Sequence, residues 1–272
     1  MKVRKSIIAK KPRELLEEFL AEYSSLFDID VDNARELIKE GIRYYDGNKD
    51  CGIFQKIMEK RWYASHDFSI YDDEYYFTDV YVCWTMYSRK YILAMRSESS
   101  LEGKGSVIDL MSGAKTVVDL GCGIGYSTAA LKAIFKDADV YGTNLKGTKQ
   151  FMFCQHISKR YGFKVISGIG CLDSVDVIFA SEYFEHFEDP FAHLREVLEK
   201  GPQFLVLANS FNTYSMGHYT RYKHGRKLIP QKQASQRFNA FLTSLGYEPM
   251  RTKLWNNKPR IWVKAKPKRT LL

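Results

Sequence analysis

The amino-acid sequence predicts an α/β fold in which a helical segment precedes a parallel sheet. From residue 113 onward, short apolar runs alternate with helical patterns, an order typical of parallel sheets. The run Thr116–Leu120 leads directly into a glycine turn and then into a helix rich in alanine and leucine. Before this point the patterns are helical. We therefore predict a helical, aromatic-rich N-terminal extension or lid at residues 1–111 and a sheet domain at 112–272.

Apolar spacing predicts three helices near the start of the extension. Apolar residues recur at helical intervals over residues 11–28. A second helix is predicted from Asp32, a residue type that favours the N-cap position, to about Tyr45, and a third from Gly52 to Trp62.

Aromatic residues are dense between residues 62 and 91. Two interpretations stay open: a lid or stacking surface for a flat substrate, or ordinary packing of helices on the sheet, which we favour. The aromatic residues are Trp62, Tyr63, Phe68, Tyr71, Tyr75, Tyr76, Phe77, Tyr81, Trp84, Tyr87 and Tyr91.

The sheet domain is predicted to contain seven strands. The apolar runs that predict five of them cover residues 116–120, 139–143, 163–167, 175–180 and 204–208. Helices are predicted between them and at residues 231–245. Two more strands, Met250–Trp255 and Arg260–Lys264, are predicted to form a hairpin, with a loose basic tail after it.

The glycine turn, Gly121-Cys122-Gly123-Ile124-Gly125, follows the strand that contains Asp119. A dinucleotide fingerprint would need its third glycine at position 126, which is Tyr126. The spacing instead resembles motif I of the class I S-adenosylmethionine-dependent methyltransferases. That resemblance implies S-adenosylmethionine as the cofactor. It also implies that Asp119, Gly121, Gly123 and Gly125 bind or orient it.

The segment Ser181–Pro190, SEYFEHFEDP, carries the second resemblance to this family. It resembles the S-E-x-x-E-H-x-x-D-P segment that follows strand four in many class I methyltransferases. Glu182 and His186 are then candidates for acid-base or substrate-orienting roles. The alternative, that Glu185 and His186 only cap the following helix, stays open. Together the two matches imply the Rossmann-like class I sheet of seven strands, with an antiparallel last hairpin.

The resemblance also implies three further contacts with the cofactor. An acid at the end of strand two usually holds the ribose hydroxyls in this family, and Asn144 occupies that place here. Gly168 or Ile169, with Ile169 as the candidate, is expected to lie against the adenine ring. Arg89, shortly before motif I, is a candidate partner of the cofactor carboxylate.

The long segment after the fifth strand, residues 209–227, is predicted to be a substrate loop, because it leaves the carboxyl edge of the sheet and is aromatic and basic. Asn209, Tyr219 and Arg221 are the substrate candidates. His218 is a candidate proton acceptor beside Glu182 and His186. A solvated connection is the alternative.

The excess positive charge lies at the C-terminal end. Residues 201–272 contain 14 Lys or Arg and one acid, whereas the whole chain has a formal net charge of +9. Such a bias favours an anionic partner, and a nucleic acid or nucleotide is the first expectation. A small-molecule acceptor is the alternative, because the base-methylation tetrad of amino-methylating DNA enzymes is absent. A third possibility is a binding module that retains the fold without turnover.

Composition limits the remaining classes. No apolar run is long enough to cross a bilayer, so we expect no membrane partner. The five cysteines are odd in number and form no C-x-x-C pair, which favours a reduced, cytoplasmic setting and predicts no metal site.

Overall fold

The computed structural model describes residues 6–48, 50–102, 105–254 and 258–265. Seven strands form one mixed sheet in the order β3-β2-β1-β4-β5-β9-β8, and β6 and β7 form a separate hairpin. Strands β1 to β5 are parallel, and β9 runs antiparallel to both β5 and β8. The strands are β1 (Thr116–Leu120), β2 (Asp139–Thr143), β3 (Lys164–Ile166), β4 (Val177–Ser181), β5 (Phe204–Ala208), β6 (Arg221–His224), β7 (Lys227–Pro230), β8 (Tyr247–Pro249) and β9 (Arg260–Lys264).

Helices cover both faces of this sheet and form the N-terminal extension. One π-helical turn, Trp84–Ser88, joins the fourth and fifth helices. The α-helices are α1 (Pro12–Phe27), α2 (Val31–Tyr45), α3 (Ile53–Ser65), α4 (Glu74–Cys83), α5 (Arg89–Met95), α6 (Val107–Leu110), α7 (Tyr126–Ile134), α8 (Lys149–Tyr161), α9 (Pro190–Leu198) and α10 (Gln231–Ser244).

Alternate side chains of the central strands enter two different cores. Val117 and Val177 pack with α7, α8 and helices of the extension. Their neighbours Val118 and Ile178 face the opposite core, with α9 and α10. Burial on both faces explains why these strands read as continuous apolar runs. It also explains why the predicted bounds of β1, β2 and β5 agree with the structure.

The extension packs against α7 and α8 through stacked aromatic rings. Tyr23 of α1 stacks on Phe77 of α4 with ring centroids 4.2 Å apart, and Phe19 stacks on Tyr81 at 4.4 Å. Phe153 of α8 meets Phe77 edge-on at 5.4 Å. Such pairs contribute about 0.5–1.5 kcal/mol each beyond their buried area. Much of the predicted aromatic segment is therefore core, and the domain boundary at residues 111 and 112 stays a prediction.

Three local predictions were wrong. Asp30, rather than Asp32, caps α2, because its side chain accepts from the backbone N–H groups of Asp32 and Asn33. The strand that pairs with β9 is β8 rather than Met250–Trp255, of which Trp255 lies outside the described residues. Part of the predicted substrate loop forms the hairpin β6–β7, whose strands alternate exposed and buried side chains only weakly.

The five cysteines are free thiols, and the Sγ atoms of Cys122 and Cys154 lie 3.4 Å apart. Within the described ranges, no helix is both long enough and apolar enough to cross a membrane.

Candidate active site

The glycine turn brings bare backbone to the carboxyl edge of β1, beside the switch in strand order between β1 and β4. Gly121 and Gly123 have φ angles of +65° and +53°, which side chains rarely adopt. A Cβ atom at Gly121 would lie 2.3 Å from the Tyr183 ring, and one at Gly123 would lie 2.6 Å from Cγ1 of Val80. Conformation and space therefore both require glycine here.

Asp119 ties the turn to the helix that follows it. Its carboxylate accepts hydrogen bonds from Ser127 Oγ at 2.5 Å and from Thr128 Oγ1 at 2.7 Å, both in the first turn of α7. Burial raises the pKa of Asp119 to about 7. The carboxyl group fixes where α7 begins, and with it the positions of the free backbone N–H groups at the helix start.

An outer cavity of about 410 Å³ opens beside the ends of β1, β2 and β3. Ile169 and Asn144 line it, together with the aromatic rings of Tyr183 and Phe187 and with Gly121 of the turn. The volume lies within the range of about 300–1,000 Å³ that is usual for small-molecule sites. An apolar wall with a few polar groups suits a flat heterocycle joined to a sugar.

Asn144 has a role that a carboxylate could not perform. Its Nδ2 donates to the carbonyl oxygen of Gly123 at 2.6 Å, and its Oδ1 accepts from the backbone N–H of Leu145 at 2.8 Å. A carboxylate has no donor for the Gly123 carbonyl. The amide thus supports the glycine turn from the end of β2, which gives a physical reason for its presence.

An inner cavity of about 360 Å³ lies on the other side of the turn. Residues of α2, α4, the π-helical turn and α5 form one wall, and the ends of β4 and β5 form the other. Gly121, Gly123, Glu182 and His186 line both cavities. The two cavities are therefore neighbouring parts of one cleft that passes over the glycine turn.

A buried carboxyl group, that of Asp79, lies on the helical wall of the inner cavity. Its Oδ2 accepts from Tyr45 Oη at 3.2 Å, and the Cys83 thiol lies 3.7 Å from the same oxygen. Its Oδ1 is buried and has no hydrogen-bond partner among the described residues. Burial raises the pKa of Asp79 to about 7.

The segment after β4 brings two carboxyl groups to the opposite side, where Glu182 lines the cavity and Glu185 lies buried beside it. Glu182 has a left-handed backbone, with φ of +52°, and its N–H donates to the carbonyl of Ala208 in β5 at 2.7 Å. Glu185 is fully buried, and its Oε1 accepts from the Ser210 N–H at 2.6 Å. Burial, and then the nearby Glu182 carboxylate, raise the pKa of Glu185 well above its usual range.

Two imidazoles complete this wall. His218 Nδ1 donates to the carbonyl of Thr213 at 3.0 Å, so Nε2 carries the lone pair. The His186 ring lies edge-on to the His218 ring at 4.8 Å. Burial lowers the pKa of both groups, and that of His186 lies well below its usual value.

Helix α3 holds the loop that carries His218. Trp62 Nε1 donates to the His218 carbonyl at 2.6 Å, and Tyr63 Oη donates to the Ser215 carbonyl at 2.9 Å. The Tyr63 ring also stacks on Tyr214 at 4.1 Å. The loop is thus tied to the extension. It contributes Ser210, Thr213, Ser215, Met216 and His218 to the inner cavity.

The structure brings eight of the predicted site residues to the walls of the cleft and places five elsewhere. Those at the cleft are Asp119, Gly121, Gly123, Asn144, Ile169, Glu182, His186 and His218. Gly125 packs on α8 instead, because a Cβ there would lie 2.8 Å from Cys154 Sγ. Arg89 Nη2 donates to the Lys10 carbonyl at 3.1 Å and Arg89 lines neither cavity, so its contact with the cofactor stays a prediction.

The three predicted substrate residues also lie off the described cavity walls. Tyr219 packs edge-on against Trp62 at 5.5 Å, and the Oδ1 atom of Asn209 is buried. Arg221 is exposed on β6. The substrate loop therefore contributes to the cleft through other residues than the three that its polarity and aromatic character indicated.

The helical wall has no signal in the sequence. Asp79, Tyr45 and Cys83 come from two helices that are brought together only by packing, and no spacing rule signals this arrangement. Glu185 was open to interpretation as a helix cap, but Asp189 caps α9 by accepting from the Ala192 N–H. The signal for Glu185 was available in the E-x-x-E-H spacing, which places two acids beside the sheet edge.

Comparison with known proteins agrees with the geometry of the turn. Residues 118–200, which include the glycine turn and the segment after β4, match a family described as a methyltransferase domain. The chain contains a class I S-adenosylmethionine-dependent methyltransferase domain. The matched domain is that of an S-adenosylmethionine-dependent methyltransferase, and the sheet order with its antiparallel C-terminal hairpin is the class I fold.

The solved structures that this chain resembles have low sequence identity to it. The mitomycin 7-O-methyltransferase MmcR is 14% identical, with 94% of this chain and 73% of that chain covered and a TM-score of 0.48. A methyltransferase from Aquifex aeolicus is 18% identical, with 57% and 85% covered and a TM-score of 0.38. A putative O-methyltransferase from Nostoc punctiforme is 12% identical, with 71% and 60% covered and a TM-score of 0.47. No curated protein sequence matches the chain. Similarity at this level specifies no substrate.

Proposed function

We propose that this methyltransferase transfers a methyl group to a small molecule held in the inner cavity. The observation that carries the proposal is the helical wall, in which Tyr45, Asp79 and Tyr87 of the extension face the segment after β4 across the cavity. A site with walls on two sides suits a compact acceptor. A duplex would need an open, basic surface instead.

The cleft offers separate places for the two substrates. We assign the outer cavity to the adenosyl group, with Ile169 beside the ring and Asn144 near the sugar. The backbone of Gly121 and Gly123 lies at the junction, where the amino-acid end of the cofactor would pass. S-adenosylmethionine supplies a methyl group that its sulfonium charge already activates. The protein's own contribution is placement of the acceptor and exclusion of water.

The inner cavity offers little positive charge to a polyanionic acceptor. Four carboxyl groups, those of Asp79, Asp119, Glu182 and Glu185, lie in or beside its walls. Among the described lining residues the one lysine or arginine is Lys258, whose Nζ lies 3.4 Å from Ser210 Oγ. A neutral or cationic acceptor suits these walls better than a phosphate ester does.

The basic C-terminal residues do not reverse this argument. Arg221 and Lys223 are exposed on the β6–β7 hairpin, and Lys223 pairs with Glu188 at 2.8 Å. The comparisons also give no support to a nucleic acid partner. The small-molecule alternative is therefore better supported than the nucleic acid or nucleotide that the charge distribution favoured.

An acceptor hydroxyl or amine would meet hydrogen-bond acceptors on both walls. Oδ1 of Asp79 is a buried oxygen without a described partner, and the lone pair of His218 Nε2 is free of the Thr213 contact. A donor group of the substrate held by such acceptors has its lone pair fixed in direction. Fixing that direction is the main requirement for an in-line transfer.

Transfer of radiolabel from S-adenosyl-[methyl-³H]methionine tests the proposal. The full chain would be incubated with a cell-extract filtrate that is free of macromolecules and, separately, with purified total DNA and RNA. We expect label in the small-molecule fraction and background levels in nucleic acid. Label that enters DNA or RNA alone would overturn the proposal. Gly123→Ala, which disturbs the turn, serves as the control and should incorporate less label.

A further inference from the structure

We propose that Glu182, Glu185 and His218 bind a divalent metal ion at the inner cavity. A carboxylate oxygen from each acid and a ring nitrogen of the histidine all lie within 4.8 Å of one another. The acids follow β4, and the histidine belongs to the loop after β5, so neighbouring strand ends bring the three groups together. The sequence predicted no metal site, because its cysteines form no C-x-x-C pair. The site proposed here has carboxylate and imidazole ligands instead.

A second observation is the unpaired oxygen of Glu185. The side chain is fully buried, and Oε2 has no hydrogen-bond partner among the described residues, while the Ser210 N–H orients Oε1. A buried carboxylate oxygen without a partner is unfavourable, and a second carboxylate nearby makes it more so. A divalent cation between the two carboxylates would give Glu185 Oε2 a partner and would offset the repulsion between Glu182 and Glu185.

The hydrogen bonding of His218 is a third observation. Metal-bound imidazoles usually donate their other N–H to a carbonyl or carboxylate, which fixes the ring and its tautomer. His218 Nδ1 donates to the Thr213 carbonyl at 3.0 Å, and the Trp62 indole holds the His218 carbonyl in turn. The ring is thus oriented, with Nε2 as the available ligand atom.

The donor set indicates the class of ion. Two carboxylates and one imidazole suit Mn²⁺, Fe²⁺, Co²⁺ or Zn²⁺, whereas Ca²⁺ and Mg²⁺ prefer oxygen ligands alone. Three protein ligands leave coordination positions open, as metal sites that bind substrate do. If the proposed function holds, an oxygen or nitrogen atom of the acceptor would occupy one of these positions, and its bond to the metal ion would replace the hydrogen bond to His218 Nε2.

Titration with Mn²⁺, followed by the electron paramagnetic resonance signal of the free ion, tests the site in the full chain. We expect one Mn²⁺ to bind per chain, and Glu182→Gln and His218→Ala each to weaken binding by about tenfold or more. Glu188→Gln is the matched control, because Glu188 belongs to the same segment but is exposed and paired with Lys223. Its affinity for Mn²⁺ should equal that of the wild type.

A thermal measurement keeps the test independent of variant folding. Mn²⁺ should raise the melting temperature of the wild-type chain, because a ligand that binds only the folded state stabilises it. Failure of the wild type to bind Mn²⁺, or equal binding by all the variants, would overturn the metal site. The titration uses no methyl acceptor. A nucleic acid acceptor would therefore refute the proposed function and leave the metal site standing.

Discussion

At the scale of single residues, the two glycines at the centre of the cleft combine a left-handed backbone with close neighbours. A side chain at Gly123 would be strained by its φ of +53° and would meet Val80 of α4 at 2.6 Å. Left-handed backbone costs a non-glycine residue about 1–2 kcal/mol. We predict that Gly123→Ala weakens binding of S-adenosylhomocysteine by about tenfold or more, as measured by calorimetry.

Gly225→Ala is the control for backbone strain. Gly225 lies in the β6–β7 turn with φ of +62°, and nothing lies within 4 Å of the position its Cβ would take. This variant should carry a similar strain but bind the product as the wild type does. Equal losses in the two variants would show that the turn has no specific role in binding.

The pKa of Asp79 leads to a prediction about stability. Burial raises it from an ordinary value of 3.8 to about 7 in the folded chain. The folded protein then holds a proton that the unfolded chain has released, so stability falls as pH rises from about 4 through 7. The full effect is on the order of 4 kcal/mol.

Asp79→Asn should remove this pH-dependent loss. We expect the free energy of unfolding of the variant, relative to the wild type, to increase between pH 5 and pH 8 in urea titrations. Tyr45, which donates to Oδ2, and the Cys83 thiol remain in place as neighbours. If the free energies of unfolding of the variant and the wild type differ by a constant amount between pH 5 and pH 8, Asp79 is ionised in the folded state.

The sequence predicted the residues of the glycine turn because their role depends on local geometry. Asp119, Gly121 and Gly123 lie within five positions of one another, and a strand-turn-helix pattern specifies what they do. Asp79 had no such signal, since its importance arises from packing between distant helices. Arg89 was predicted from its position before the turn, but the direction of its side chain depends on the Lys10 carbonyl.

At the scale of elements, α3 controls the loop after β5. The hydroxyl of Tyr63 donates to the Ser215 carbonyl, and loss of such a bond costs about 1 kcal/mol. We predict that Tyr63→Phe increases amide hydrogen exchange in residues 210–219 by about fivefold. Tyr214→Phe, which keeps the ring stacked on Tyr63, should leave exchange near the wild-type rate. Equal exchange in both variants would contradict a holding role for the hydroxyl.

The buried strands were predictable from sequence, and the edge elements were not. Strands β1 and β5 are covered on both faces, which leaves a continuous apolar run as a clear signal. The β6–β7 hairpin has exposed residues at most positions, so its strands resemble a polar loop. The position of β8 depends on which residues pair with β9, and the composition of the segment does not indicate that register.

At the scale of the whole molecule, the charge distribution favours a nucleic acid partner, whereas the inner cavity favours a small molecule. The basic surplus lies in the last part of the chain, whereas the inner cavity is lined by three carboxyl groups and, among the described lining residues, one lysine. We predict that replacing Arg221 and Lys223 together with alanine leaves product binding and methyl transfer unchanged. Steady-state kinetics on the small-molecule acceptor would test this. A large rise in KM would show that the hairpin contributes to the substrate site.

The most direct test of the account is a calorimetric titration with S-adenosylhomocysteine, repeated with short DNA and RNA present. We expect one product molecule to bind per chain at micromolar concentrations, with the same affinity in all three titrations. Tighter binding with either nucleic acid would contradict the small-molecule assignment of the inner cavity. Absence of binding in every titration would contradict the assignment of the cleft itself.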